Sequence, residues 1–292
     1  LIYVLLATVC DIMPLRKLNR TIALNVIDKF DIKKNIAFNS LYELNKKNNK
    51  VTIEDLGFFI GPIINAGGRL GKSNYGTDLL SSDDPFIVKY RSRQLIELNN
   101  KRKLVETKIL NEIDFRKIQN ENKNLVFYYK SNMNEGLIGI IAARLKEYFN
   151  KPSIVITNSN NILKASARSI KNYNLGKVIK KLLEKKIIIK GGGHEMAAGF
   201  SLKKDKLKDL EEFILTDCDN NTSNLISLNN YDSEILPTAI SKIFLNEIDK
   251  IGPFGNDNPL PIFLIKDLKI IKRRILSKKN FFIILKSKNA KS

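Results

Sequence analysis

The only histidine in the chain, His194, stands directly behind Gly191, Gly192 and Gly193 in IIIKGGGHEMAAGFSL (187–202). Consecutive glycines allow positive φ and leave backbone N–H groups open, which suits a phosphate or a closely approaching nucleic-acid backbone. An imidazole at the mouth of such a turn can donate to a phosphate oxygen or shuttle a proton. Local chemistry alone slightly favours a plainer alternative, a tight strand-to-strand turn with a satisfied histidine. In KASARSI (164–170), strand alternation places Ser166, Arg168 and Ile170 on one face. A hydroxyl and a guanidinium two residues apart can bind a phosphate together, the arginine in bidentate fashion. Taken alone, a surface arginine near a carboxylate is the commoner outcome. In INAGGRLG (64–71), Asn65 and Arg69 bracket a small-residue turn and could hold a sugar-phosphate, a weak signal by itself.

Asp11 adds one hard oxygen donor of the kind Mg²⁺ and Mn²⁺ take. Two-metal phosphodiester chemistry needs several carboxylates, and no DHH, HxD, DxD or HExxH grouping stands out. One histidine excludes a multi-histidine metal centre built from this chain alone.

The elements that must position these residues follow from the pattern. The apolar run 1–9 ends at Cys10-Asp11 and reads as a buried strand delivering a carboxylate to a sheet edge. Residues 18–44 read as helical. SSDDP (81–85) reads as a helix start, with a Ser/Asp cap and a proline tolerated in the first turn. A long helix from about Phe86 to about Gln119 should follow, with Arg91, Arg93, Lys101, Arg102 and Lys103 on its outer face. From 123 onward strands and helices alternate: LVFYY, a helix through Leu137–Tyr148, SIVIT, ILKASARSI, a helix in LGKVIKKLLEKK, a short strand at 187–189, the glycine turn, and a helix over Lys206–Leu215. An Asn/Ser-rich linker (219–230) precedes the loop IGPFGNDNPLPIF and two β-like runs. The expected fold class is α/β, divided at 1–84, 85–122, 123–218 and 219–292.

The net charge of +20 suits a polyanionic partner, because cations that neutralise phosphates release counterions. A Lys/Asn/Ile-rich composition also produces charge as a solvated face, so charge alone leaves the matter even. Cys10 and Cys218 make neither a disulfide framework nor a zinc site. A reducing cytoplasm is the default. LIYVLLATVC is far shorter than the ~20 residues of a membrane span, and no basic flank precedes it as a signal peptide would require. The start at Leu1 reads as a segment cut within a domain.

The order of CDIMPL, GPIINAGGRLG, LIELNNKRKLVE, GLIGIIAARLKEYFNKPSIVI, KASARSI, GGGHEMAAGFSL and IGPFGNDNPLPIF resembles the RecJ family of single-strand-specific DNA exonucleases, from Leu1 to about Leu285. The resemblance implies the end of a DHH phosphoesterase domain, a long connecting helix, a DHH-associated domain and the start of an OB-type β-barrel. It implies 5′-to-3′ removal of nucleotides from single-stranded DNA with Mn²⁺ or Mg²⁺, roles in DNA repair and recombination, and helicases and single-strand-binding proteins as candidate partners.

Residue by residue, the resemblance makes Asp11 a metal ligand. Asn65 and Arg69 would close the cleft on DNA, and Ser166 and Arg168 would hold phosphates including the 5′ end. Gly192, Gly193 and His194 would face the catalytic metals, with His194 against the scissile phosphate or its neighbour. Ile63 stands where the family usually has an arginine. The DHH motifs themselves are absent, so the 292 residues alone are not expected to cleave. Two alternatives differ in class. A non-catalytic single-strand-binding scaffold need not keep Asp11. A smaller DHH-type oligonucleotide or cyclic-dinucleotide phosphodiesterase should lack the PFGNDNPLP loop.

Overall fold

The computed structural model describes residues 1–221, 230–276 and 280–287. The chain divides into two compact units: residues 1–32, 49–61 and 227–292 form one, and 33–48 with 62–226 form the other.

In the first unit, helix α1 (Ile2–Cys10) packs against α2 (Lys17–Lys29) and a π-helical turn at Asp55–Ile60. Leu5, Ala23, Leu56 and Ile60 are fully buried there. The expected strand at 1–9 is therefore a helix. A continuous apolar run carries no period, so it cannot distinguish a buried strand from a buried helix. Asp11 is the C-terminal cap of α1 and not a sheet-edge residue. The π-helical turn opens on a reciprocal cap: the Asp55 carboxylate accepts from Thr52 N and Oγ1 at 3.1 and 3.0 Å, and Thr52 Oγ1 accepts from Asp55 N at 3.1 Å.

The same unit holds β6 (Ser233–Glu234), α11 (Lys242–Ile251), β7 (Phe263–Leu264), β8 (Leu268–Ile275) and β9 (Phe281–Ser287). Strands β6 and β7 pair in parallel, and β8 and β9 form an antiparallel ribbon with Ile270, Phe282 and Ile284 exposed. Helix α11 has no counterpart among the elements expected from the sequence.

The second unit contains α3 (Ile36–Leu44), α4 (Gly61–Arg69), α5 (Asn74–Ser81), α6 (Pro85–Glu112) and α7 (Phe115–Asn120). It continues with β1 (Val126–Tyr129), α8 (Glu135–Phe149), β2 (Ser153–Ser159), β3 (Ile162–Arg168), α9 (Leu175–Glu184), β4 (Lys190–Gly193), β5 (Ala197–Leu202) and α10 (Leu207–Asn221). The strands form one mixed sheet in the order β1-β2-β3-β5-β4. β1 and β2 run parallel around α8, the other pairs antiparallel. Helix α8 covers β2 and β3 on one face, where Val155 meets Leu137, Ile141 and Leu145. α9 and α10 cover the opposite face, where Ile154, Ile156, Leu163 and Ala165 meet Ile179, Leu182 and Ile214. Inner strand β2 is thus apolar on both sides, as a strand sandwiched between helix layers must be.

Three further expectations change. The region 18–44 is two helices with a 3₁₀ turn at Ile32–Lys34 between them. The long helix starts as expected, Asp84 capping Phe86 N at 2.7 Å with Pro85 in its first turn, but it stops at Glu112. Ile113 is extended, and Asp114 caps a separate short helix. The glycines 191–193 are not a turn, because Lys190–Gly193 is itself edge strand β4, paired with β5, and 187–189 lie outside any strand. Most of the linker expected at 219–230 lies outside the described residues, and α10 continues through Asn221.

Candidate nucleic-acid interface

The end of the sheet in the second unit gathers the candidates. Ser166 pairs with Gly199, and Gly199 with Gly192. Directly paired residues point to the same face. Lys164, Ser166 and Arg168 are half-buried while Leu163, Ala165 and Ala167 are buried in the α9/α10 core, so this row lies on the face that carries α8. Helix α8 does not extend over β5 and β4, and a Cβ on Gly192 would meet nothing within 4 Å. The result is a strip of exposed backbone without side chains, beside a hydroxyl and a guanidinium. Its neighbour Gly191 points the other way, into the core, where a Cβ would sit 2.8 Å from Phe200 Cβ. One glycine is needed for packing and the next leaves open ground.

His194 lies one step further along. Its N–H donates to Ala197 O at 2.9 Å, and Ala197 pairs with Arg168, so backbone register puts His194 and Arg168 at the same end of the sheet. Met196 N donates to His194 Nδ1 at 3.4 Å, which makes Nδ1 the acceptor and leaves Nε2 as the N–H donor. The turn is held from both sides: Leu175 N donates to Glu195 O at 3.0 Å and Ser169 N to Met196 O at 2.9 Å. His194 is exposed.

Arg168 Nη1 donates to Ala167 O at 3.0 Å and to Ser166 Oγ at 3.4 Å. Gly139 of α8 makes room for both, since a Cβ there would lie 3.2 Å from Arg168 Nη2 and from Ser166 Oγ. Arg69 comes from the C-terminal end of α4 and donates from Nη1 to Gly136 O at 3.1 Å. Gly136 permits that approach: a Cβ would fall 2.2 Å from Arg69 O. Asn65 is one helical turn away and exposed, as is Gly68. Asn65 and Arg69 therefore share a helix face and do not flank a turn. Ile63 is buried, so this position packs the core and offers no cation to a ligand.

Burial lowers the Arg69 pKa first, then the nearby Arg102 and Arg168 charges, with Glu106 opposing them; burial alone lowers that of Arg168. Guanidinium groups stay charged regardless.

Arg102 is the residue that the sequence pattern misplaced. It is not on the outer face of α6: only 12% of its side chain is exposed, its Nε donates to Asn99 Oδ1 at 3.1 Å, and its Nη1 to Glu106 at 2.9 Å. Arg144 Nε holds the other Glu106 oxygen at 2.9 Å. Asn99, Arg102 and Glu106, at spacings of three and four, lie on one helix side, and that spacing was the available signal. Arg91 is likewise not on the outer face, lying 4.3 Å from the Tyr75 ring and 2.8 Å from Asp78.

Asp11 belongs to the first unit. It is exposed, and its carboxylate has no hydrogen-bond or ion-pair partner among the described residues. A free carboxylate oxygen fits as one ligand of Mg²⁺ or Mn²⁺. Among the described residues no group of three or more His, Cys, Asp or Glu could hold a metal. Contrary to the expectation of no DxD grouping, Asp217-Cys218-Asp219 spells one, but Tyr173 Oη (3.2 Å) and Lys181 Nζ (2.6 Å) both engage Asp217. No helix among the described residues is long and apolar enough to cross a membrane.

Comparison with known proteins places the chain among relatives. The DHHA1 domain matches residues 122–218 and the RecJ OB domain residues 231–292. A single-stranded-DNA-specific exonuclease RecJ from Bacillus subtilis is 28% identical over 90% of this chain and 34% of its own length. The Escherichia coli protein of that name is 28% identical over 97% and 51%, and the Salmonella typhimurium one 32% over 72% and 38%. The chain thus spans about half the length, or less, of these curated relatives. In fold it is similar to RecJ from Thermus thermophilus crystallised with Mn²⁺, at a TM-score of 0.79 and 20% identity over 96% of this chain and 42% of that one. A crystal structure of the same protein with Mg²⁺ gives a TM-score of 0.77. With both domains in order and relatives of one name along most of its length, the chain belongs to the RecJ family.

Proposed function

We propose that this chain forms the strand-holding part of a metal-dependent 5′-to-3′ exonuclease acting on single-stranded DNA in repair and recombination, in the cytoplasm. The observation that carries the reading is that Arg69 and Arg168 meet helix α8 at neighbouring positions, Gly136 and Gly139, beside Ser166 and an exposed backbone strip at Gly192 and Gly199. Cations and a hydroxyl bind phosphate, and bare backbone lets a polynucleotide approach without a steric wall. Arg168 and Ser166 hold one phosphate from β3, Arg69 and Asn65 bring a second set of donors from α4, and His194 donates from Nε2 at the sheet end. When bound, Mn²⁺ or Mg²⁺ supplies an activated water nucleophile. Asp11 would be one of its ligands, the rest coming from outside the described residues. On that count the 292-residue chain binds single strands and does not hydrolyse them.

The test is the rate of single-strand degradation by the protein expressed from its complete reading frame, for wild type, Arg168→Ala and Lys208→Ala. Lys208 is exposed on α10 and serves as a diffuse charge. A selective loss in Arg168→Ala supports the reading, and equal losses contradict it. The reading as a non-catalytic scaffold shares the phosphate contacts. The free Asp11 carboxylate, which no structural contact requires, favours catalysis.

A further inference from the structure

We propose that Asn256 is a positioning residue for Asp11, acting through the peptide that follows it; the inference rests on reading Asp11 as a metal ligand. Among the described residues nothing anchors the carboxylate itself, so its place depends on the end of α1, where Asp11 N donates to Ala7 O at 2.9 Å, and on the turn Asp11–Leu15. That turn bends sharply, with Ile12 at φ +55°, a left-handed conformation disfavoured for a β-branched residue. Such a conformation persists only where the surroundings over-determine it.

Helix α1 supplies part of them, Ile12 being its left-handed stop with Met13 N donating to Thr8 O at 2.9 Å; the loop 251–258, about 240 residues away in sequence and in the same compact unit, supplies the rest. Asn256 Nδ2 donates to Ile12 O at 2.7 Å, and Leu15 N donates to Asn256 O at 2.8 Å. One residue thus grips both ends of the turn. Arg16 Nε donates to Asp257 O at 2.8 Å, and Arg20 Nη2 to Ile251 O and Gly252 O at 2.6 and 2.9 Å. Gly255 lies flat against buried Leu15, where a Cβ would fall 2.5 Å from Leu15 Cδ1. The loop is stiff in itself: Gly255 and Asn258 exchange backbone hydrogen bonds at 2.9 and 3.1 Å, and Asn258 Nδ2 donates to Pro253 O at 2.9 Å. The FGND stretch is thereby a brace for the metal-ligand turn, whatever else the domain that contains it does.

The test measures Mn²⁺ binding by the electron paramagnetic resonance of free Mn²⁺, in the protein expressed from its complete reading frame. Asn256→Ala and Asn256→Asp both remove the amide donor and should weaken Mn²⁺ about ten-fold, the lower end of the loss seen when a partner that orients a ligand is removed. Single-strand affinity without metal should stay unchanged, and Asn256→Gln, which keeps an amide, should recover part of the loss. Gly191→Ala, destabilised in the other unit, should lower the melting temperature without moving Mn²⁺ affinity, which separates positioning from general loosening. Asp11→Ala completes the set. If Asp11→Ala weakens Mn²⁺ and neither Asn256 variant does, the positioning role is overturned alone. If Asp11→Ala leaves Mn²⁺ binding unchanged, the ligand reading falls and the positioning role with it.

Discussion

At the scale of single residues, the account turns on arginines that are held but not neutralised. Arg168 spends its protein contacts on a hydroxyl and a carbonyl, neither of which cancels its charge. A charge-assisted hydrogen bond is worth roughly 1.5–3 kcal/mol. Arg168→Ala should therefore reduce kcat/KM on single strands about 10- to 100-fold, while Lys208→Ala stays within about two-fold. Arg168→Lys should rescue little, because an ammonium cannot reproduce a planar fork. Arg102 differs in kind, since it also compensates buried Glu106. Because Arg144 still pairs with Glu106, removing Arg102 should cost about 1–3 kcal/mol of stability, measurable as a fall in denaturation midpoint. The sequence made Ser166 and Arg168 legible because strand alternation fixes which side chains share a face. Arg102 was hidden because a basic residue in a basic helix looks like solvated charge until its neighbours Asn99 and Glu106 are known to be buried.

At the scale of elements, edge strand β4 separates two demands on adjacent glycines. Gly191→Ala should destabilise by about 1–3 kcal/mol, because its Cβ meets Phe200, Ile188 and Ile179 within 3.2 Å. Gly192→Ala should leave the denaturation midpoint nearly unchanged and weaken single-strand binding, because its Cβ enters only the open strip. Chemical denaturation and fluorescence anisotropy on both variants would show the crossover. The same strand explains one misreading. Glycine carries no strand signal, so three in a row read as a turn, and only pairing with Ala198, Gly199 and Phe200 makes them β4. The apolar run before Asp11 failed for a related reason, having no period to read. The α8 and α9 helices and strand β3 emerged readily because their apolar spacing follows periods of about 3.6 and 2, and β1 and β2 because they are short β-branched and aromatic runs bounded by Asn, Ser or Pro.

At the scale of the whole molecule, a net charge of +20 must act through specific sites or as a diffuse field. Salt separates them. Single-strand affinity should fall steeply as salt rises, as counterion release requires. Arg168→Ala should flatten the slope of log affinity against log salt by about one phosphate, ~0.7 for a single strand. The fold class, and the order of elements from β1 to α9, were readable at this scale from the α/β alternation. The pairing of the 251–258 loop with the Asp11 turn was not, because a contact between segments so far apart leaves no local pattern.

The central claim is that the end of the β3–β5–β4 sheet holds a phosphate of single-stranded DNA. The most direct measurement is the affinity of the 292-residue chain for a short 5′-phosphorylated single strand, by fluorescence anisotropy at fixed salt. The account predicts that Arg168→Ala and Gly192→Ala each weaken binding at least about ten-fold, while Lys208→Ala changes it by less than about two-fold. Equal, small losses in all three would mean that the chain holds DNA by diffuse charge and that this face is not the binding site.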